Sequence, residues 1–149
     1  MSLTYEARFT SIQRYIVAVH GSPRPLTAGE LHIVDQFAVA ALLDIEDAWP
    51  VDTSLSRDSF DYTAYDGGFS PDDPIGFDIE NPVWYAEYVH RRGEGPTPLW
   101  ESLIPNVVQS LATIYLPRLR SEIDATERLL AGGARFHTIR AVRRREAVA

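Results

Sequence analysis

A change of hydrophobic pattern at residues 49–59 constrains the fold of this chain more than any other feature. Before this junction apolar residues recur at helical spacing, and after it aromatic and polar residues alternate as they do in a half-buried strand. Pro50 biases Trp49 away from the helical region, and the Asp-Thr-Ser run that follows can bond its own backbone and turn the chain. The sequence therefore predicts that a helix ends here and a strand follows.

The helix before the junction has a clear start. Thr27 is followed three residues later by Glu30, which is a capping-box pattern. A wide apolar stripe then reaches almost to Ala48. Its members are Leu31, Val34, Phe37, Ala38, Ala41, Leu42 and Ile45.

An earlier helix is predicted over residues 5–19. Phe9, Ile12 and Ile16 recur at helical spacing, although the alternation of Val17 and Val19 also allows a strand ending. We favour the helix. The sequence Gly-Ser-Pro-Arg-Pro at 21–25 ends it, because proline does not fit inside a helix.

Short strands are predicted after the junction. The first contains Phe60, Tyr62 and Ala64, and the second contains Ile75 and Phe77. A polar loop rich in glycine and proline, residues 66–74, separates them, and a third strand is predicted within 83–89. Consecutive short strands joined by turns predict an antiparallel meander.

Helical spacing returns at residues 99–114. Pro105 lies early, where a helix tolerates it, whereas Pro117 is expected to kink or interrupt the helix before a second segment at 118–131. Gly132 and Gly133 predict a C-cap. The whole pattern predicts an α+β fold with N-terminal helices, a small antiparallel β-sheet with long loops, and C-terminal helices packed on the sheet. We expect one domain at 1–133 and a basic, flexible C-terminal arm at 134–149.

Composition supports one domain and excludes several kinds of site. A chain of 149 residues, 45% hydrophobic, can bury one core. It has no cysteine, so it can form neither a disulfide nor a thiolate metal site, and no apolar run is long enough for a membrane span. All fourteen basic residues are arginine, so a phosphate-binding loop with a lysine is also excluded.

Charge is unevenly distributed along the chain. Its net charge is −7, which argues against nucleic-acid binding over the whole surface. Residues 44–80 contain eleven carboxylates and one arginine, whereas residues 118–149 contain eight arginines and four acids. A chain with an acidic segment and a separate basic segment suits head-to-tail contacts between copies. Such contacts close into a ring when the rotation between neighbouring copies allows it.

Enzymatic chemistry has no support in the sequence. The four histidines are scattered without metal-ligand spacing, and no nucleophile elbow is present. Asp72 and Asp73 lack the spacing of a calcium loop, so solvated loop carboxylates are the simpler reading. We therefore predict no catalytic residue, cofactor or metal. Interface candidates are Trp84, Trp100, Asp72, Asp73, Arg135, Arg140, Arg143, Arg144 and Arg145.

The chain contains three short motifs in the order Pro50-Val51-Asp52-Thr53, Tyr85-Ala86-x-Tyr88-Val89 and Pro96-x-Pro98-Leu99-Trp100. They resemble motifs of the tail-completion, or head-tail joining (neck), proteins of long-tailed bacteriophages. The family signature Pro-Val-Asp-Thr-Gly-x-Leu-Arg-x-Ser is matched at its opening four residues, its arginine and its serine, whereas Ser54 replaces the glycine and Leu55 lies one place early. A Tyr-Ala-x-Tyr-Val segment and a proline-rich turn before the last helix follow in the same order, within about residues 27–111. The matching residues are Pro50, Val51, Asp52, Thr53, Arg57, Ser59, Tyr85, Ala86, Tyr88 and Pro98.

The resemblance implies a non-enzymatic structural virion protein, assembled in the host cytoplasm and located in the neck or tail. Its partners would be copies of itself in a ring, of six by family analogy, together with the head connector or adaptor and the tail-tube or tail-terminator proteins. DNA would pass through the ring without sequence-specific binding, and no membrane would be involved. Two alternatives stay open: a tail-terminator ring protein, and a small cytosolic binding or antitoxin-like module with an arginine-rich tail.

Overall fold

The fold is α+β, as the sequence predicts. The structure, a computed structural model, describes residues 3–49, 60–81, 99–133 and 143–144. Within these residues the elements are, in chain order, β1 (Leu3–Arg8), α1 (Thr10–His20), α2 (Ala28–Ala48), β2 (Asp61–Asp66), β3 (Ile75–Asn81), α3 (Leu99–Ala131) and β4 (Arg143–Arg144).

The first element is a strand, so the helix predicted over residues 5–19 is wrong for its first part. β1 is antiparallel to β3 over six register positions, with Tyr5 opposite Ile79 and Ala7 opposite Phe77. The tertiary pairing with β3 outweighs the helical spacing at this end of the segment. The helix α1 begins only at Thr10 and ends at His20, before Gly21, which takes a left-handed φ of 93°.

The capping box at the start of α2 is confirmed. Thr27 N donates to Glu30 Oε1 at 2.8 Å, and Glu30 N donates to Thr27 Oγ1 at 3.4 Å. The predicted apolar stripe is buried along the whole helix. At the other end Trp49 is extended, with φ −73° and ψ 134°, as expected for a residue before proline.

The strands on either side of the 66–74 loop are also confirmed. β2 pairs with β3 in antiparallel register, and the sheet order is β1-β3-β2-β4. Phe60, Tyr62 and Ala64 are buried, as are Ile75 and Phe77, so the inner face is the one the alternation predicts. The third strand predicted within 83–89 lies outside the described residues.

The last helix is continuous from Leu99 to Ala131, so the interruption predicted at Pro117 is wrong. Pro105 also lies inside this helix, as its seventh residue. Buried Ile104 and Val108 before Pro117, and Leu119 and Ile123 after it, form one stripe, so packing favours a single helix across the proline. The helix ends before Gly133, which takes a φ of 96°, as the predicted C-cap requires.

The helix α2 occupies the centre of the fold. It packs against the inner face of β2 and β3 on one side and against α3 on another. Phe37 of α2 joins these layers: its ring stacks on Tyr115 of α3 at 5.2 Å and meets Phe77 of β3 edge-on at 5.0 Å. Among the described residues, no helix has the length and apolarity that crossing a bilayer would require.

Candidate interaction surface

Most of the residues singled out by sequence lie outside the described part of the chain. These are the signature residues Pro50, Val51, Asp52, Thr53, Arg57 and Ser59, the later motif residues Tyr85, Ala86, Tyr88 and Pro98, and the interface candidates Trp84, Arg135, Arg140 and Arg145. The backbone of Trp100 lies in the first turn of α3. Asp72, Asp73, Arg143 and Arg144 are described.

The loop between β2 and β3, residues 67–74, is folded onto α1. Gln13 Nε2 donates to the carbonyl oxygen of Asp73 at 2.7 Å, and Ser70 N donates to Asp73 Oδ2 at 3.4 Å. Asp72 is exposed, and the ring of Phe69 is 57% exposed. The two predicted interface carboxylates therefore differ: Asp73 stabilises the loop, whereas Asp72 lies on its surface.

A cavity of about 280 Å³ lies between this loop and α1. Ile16, Val17 and Ile75 give it mostly apolar walls, and Gln13 and Asp73 lie among its polar groups. Its size suits one large side chain or a small apolar molecule. No local sequence pattern predicts this cavity, because its walls come from segments about fifty residues apart.

The outer face of the sheet carries a cluster of three interacting side chains. Asp78 Oδ1 accepts a hydrogen bond from Arg8 Nη1 at 2.8 Å, and Asp78 Oδ2 accepts one from the Tyr65 hydroxyl at 2.6 Å. The Arg8 guanidinium also lies 5.0 Å from the centre of the Tyr65 ring. We refer to these three residues as the outer cluster.

The environment of Tyr65 fixes its protonation state. The hydrogen bond to Asp78, aided by burial and by the negative charge of that carboxylate, raises the pKa of Tyr65 to about 12. The phenol therefore keeps its proton to a higher pH than an ordinary tyrosine, and it donates that proton in a hydrogen bond to Asp78. Its role in the outer cluster is to hold Asp78 in place.

Gly76 makes the outer cluster possible. It lies on β3 opposite both Arg8 of β1 and Tyr65 of β2. Its φ is 151°, and an added Cβ would stand 2.0 Å from the carbonyl oxygen of Ala7. Because only glycine fits, no side chain separates Arg8 from Tyr65 across the middle strand.

Acidic residues dominate the rest of this outer face. In register terms Asp61 lies opposite Glu80, and Glu6 lies opposite Asp78. Like charges placed opposite one another across a sheet destabilise it unless cations lie near. Arg8 supplies a positive charge close to these carboxylates. Its Nη2 lies 3.8 Å from Glu6 Oε2.

The two described arginines of the C-terminal arm belong to this sheet. Arg143 pairs with Ala64 and Arg144 with Thr63, in antiparallel register along the edge of β2. Two arginines of the C-terminal segment thus lie on a strand beside β2. The sequence showed both charge clusters but not their adjacency, because the pairing joins residues about eighty positions apart.

A second charged network is internal. The guanidinium of Arg24 donates to Glu30 and, through Nε, to Glu127 Oε1 at 2.9 Å. His20 Nδ1 lies 3.0 Å from the same Glu127 oxygen. Burial alone would lower the pKa of Arg24, but the two carboxylates outweigh it and raise that pKa further above its usual range. The network joins the ends of α1, α2 and α3, so we assign it a structural role.

The described residues offer no metal site. They contain no group of three or more histidine, cysteine, aspartate or glutamate side chains placed to hold an ion. His20 contacts Glu127, and His32 is exposed on α2. His90 and His137 lie outside the described residues.

Comparisons of the chain with protein-family models, with curated proteins and with solved structures find no match.

Proposed function

We propose that this chain is a structural virion protein of a long-tailed bacteriophage. It acts as a ring-forming subunit at the head-tail junction and joins the head connector to the tail tube. The observation that carries the proposal is the order of its parts. A capped helix, a Pro-Val-Asp-Thr junction, antiparallel strands and a long final helix follow one another in the order that the motif resemblance implies.

The distribution of charge supports self-association. Acidic residues collect on β2, β3 and the loop between them, and arginines collect at the C-terminal end of the chain. Within one chain β4 places Arg143 and Arg144 against β2, and the same contact made between two copies joins two different, complementary parts of the protein. Such heterologous contacts generate a closed ring when the rotation between neighbours divides the circle.

Exposed apolar side chains supply a second kind of contact. Leu129 near the end of α3 is 66% exposed, Ile114 is 54% exposed and Leu43 on α2 is 48% exposed. Single exposed apolar residues are common on any surface. On the two long helices, these side chains add apolar area that a contact between copies can bury.

The decisive experiment is to image the purified protein by electron microscopy and to measure its mass in solution at low and high salt. The proposal requires rings with a central channel, stable at low salt and weakened as ionic strength rises. A protein that stays monomeric at high concentration and low salt, with no ring in any image, would overturn it.

Removal of the protein distinguishes a neck protein from a tail terminator, because the two act at different steps of particle assembly. Removal of the protein from a phage that encodes it should leave filled heads and complete tails that fail to join. Tails of uncontrolled length would instead indicate a tail terminator. A salt-sensitive shift of labelled DNA by the purified monomer would favour the small binding module.

A further inference from the structure

The pairing of β4 with β2 suggests how neighbouring copies are joined. Among the described residues, β3 pairs with β2 at all six positions of that strand, and β4 pairs with its other side at Thr63 and Ala64. β4 lies at the edge of the described sheet, with β2 as its neighbour. An edge strand that follows a linker can pair with the equivalent edge of another copy, as in domain swapping.

Charge complementarity favours an arginine-rich strand at this position. Asp61 lies on β2, the strand with which β4 pairs, and Asp78 and Glu80 lie one strand farther away, on β3. The sequence around β4 carries Arg140, Arg143, Arg144 and Arg145. Strand pairing fixes the register, and the opposite charges favour the contact at low salt.

We propose that β4 of each copy pairs with β2 of the next copy around the ring. The pairing is the same within a chain and between chains, so exchange costs little contact energy, and a closed ring satisfies every donor strand and every acceptor edge at once. Nine residues, 134–142, separate the end of α3 and its glycines from β4. Fully extended, they span about 30 Å, which is enough to reach a neighbouring subunit.

This inference rests on the proposed ring, and the absence of cysteine makes it directly testable. Thr63 and Arg144 are register partners, so their Cα atoms lie about 5 Å apart, within the range a disulfide accepts. Thr63→Cys and Arg144→Cys are made as two separate proteins, one with a mass tag. They are mixed at high salt under reducing conditions, moved to low salt and oxidised.

The inference requires a disulfide-linked heterodimer of the two single variants. It also requires that a protein carrying both substitutions give a ladder of linked oligomers on a non-reducing gel. If the double variant forms only a disulfide within one chain, or none, the inference is overturned. The matched control is Thr63→Cys mixed with Arg143→Cys, which should not link, because adjacent residues of a strand face opposite sides of the sheet.

Failure of this inference is distinguishable from failure of the proposed function. Rings seen by microscopy together with purely intrachain disulfides would reject strand exchange and leave the neck assignment standing. Monomers with intrachain disulfides would reject both. Circular dichroism of each variant, compared with the unsubstituted protein, verifies that the fold is retained.

Discussion

Arg24 and Glu30 form a bidentate ion pair in which both side chains are fully buried. Nη1 lies 2.7 Å from Oε1 and Nη2 lies 2.9 Å from Oε2. Glu30 is also the N3 residue of the α2 capping box. The pair therefore ties the segment before α2 to the first turn of that helix.

Removal of one member of this pair should destabilise the protein strongly. Arg24→Met leaves the buried Glu30 carboxylate without its cation, and we expect a loss of about 3–5 kcal/mol in the free energy of unfolding, measured by urea denaturation. Arg8→Met removes a more exposed ion pair and should cost about 1 kcal/mol.

A double variant separates the charge effect from lost packing. Arg24→Met combined with Glu30→Gln removes both charges, and it should recover part of the stability lost in the single variant. If the two substitutions lower the free energy of unfolding additively, so that the double variant loses the sum of the two single losses, Arg24 and Glu30 are not coupled and this interpretation is wrong.

Tyr65→Phe should change how stability depends on pH in alkaline solution. The pKa of Tyr65 rises from 10.0 to about 12 on folding, so its contribution is complete below pH 10 and is lost as pH rises towards 12. We expect the parent protein to exceed Tyr65→Phe in stability by about 1 kcal/mol at neutral pH, because a hydrogen bond to a charged group at a partly exposed site is lost. That difference should shrink between pH 10 and pH 12.

The comparison between the two proteins is essential to this measurement. Tyr5 and Tyr15 also have raised pKa values, Tyr5 because of burial and Tyr15 because it donates a hydrogen bond to Asp124. Both proteins therefore lose stability in alkali. If the difference in stability between the parent protein and Tyr65→Phe stays constant from pH 10 to pH 12, the hydrogen bond to Asp78 does not raise the pKa of Tyr65.

Gly76→Ala should disrupt the sheet at the outer cluster. The new Cβ would stand 2.0 Å from the Ala7 carbonyl oxygen, at a φ of 151° that alanine rarely adopts. Steric overlap and backbone strain together predict a loss of about 3 kcal/mol. Gly132→Ala is the control: its nearest neighbour would be the Leu129 carbonyl oxygen at 3.5 Å, so thermal unfolding should change little.

Local signals in the sequence predicted α2, β2 and β3 but not β1. The capping box of α2 and the alternation of β2 and β3 need no knowledge of distant residues. The alternation of Tyr5 and Ala7 with Glu6 and Arg8 was present too, but the helical spacing farther along masked it. What decides the strand is its pairing with β3, about seventy residues away.

The candidate surface was predictable only in part. Charge clusters are visible in the sequence, and Asp72 does lie exposed as expected. The outer cluster was missed because its three members come from three strands. The only local sign was Gly76 within an apolar run, which marks a close approach of another backbone.

Pro117→Ala should stabilise the protein, because α3 runs through the proline without interruption. Alanine restores the backbone N–H that can donate to the carbonyl oxygen of Thr113, and it removes the clash of the proline ring with that carbonyl. A proline inside a helix costs about 3 kcal/mol, of which the greater freedom of alanine in the unfolded chain offsets up to about 1 kcal/mol. Pro117 is exposed, so its replacement disturbs no core contact. We expect a net gain of about 1–2 kcal/mol in the free energy of unfolding, measured by urea denaturation, with helical content by circular dichroism unchanged or slightly raised.

The control is Pro71→Ala, in the loop between β2 and β3. This substitution should lower the free energy of unfolding, because there proline restricts only the unfolded chain. A loss of stability in Pro117→Ala would mean that the helix needs its proline, and that two segments, rather than one, pack against α2.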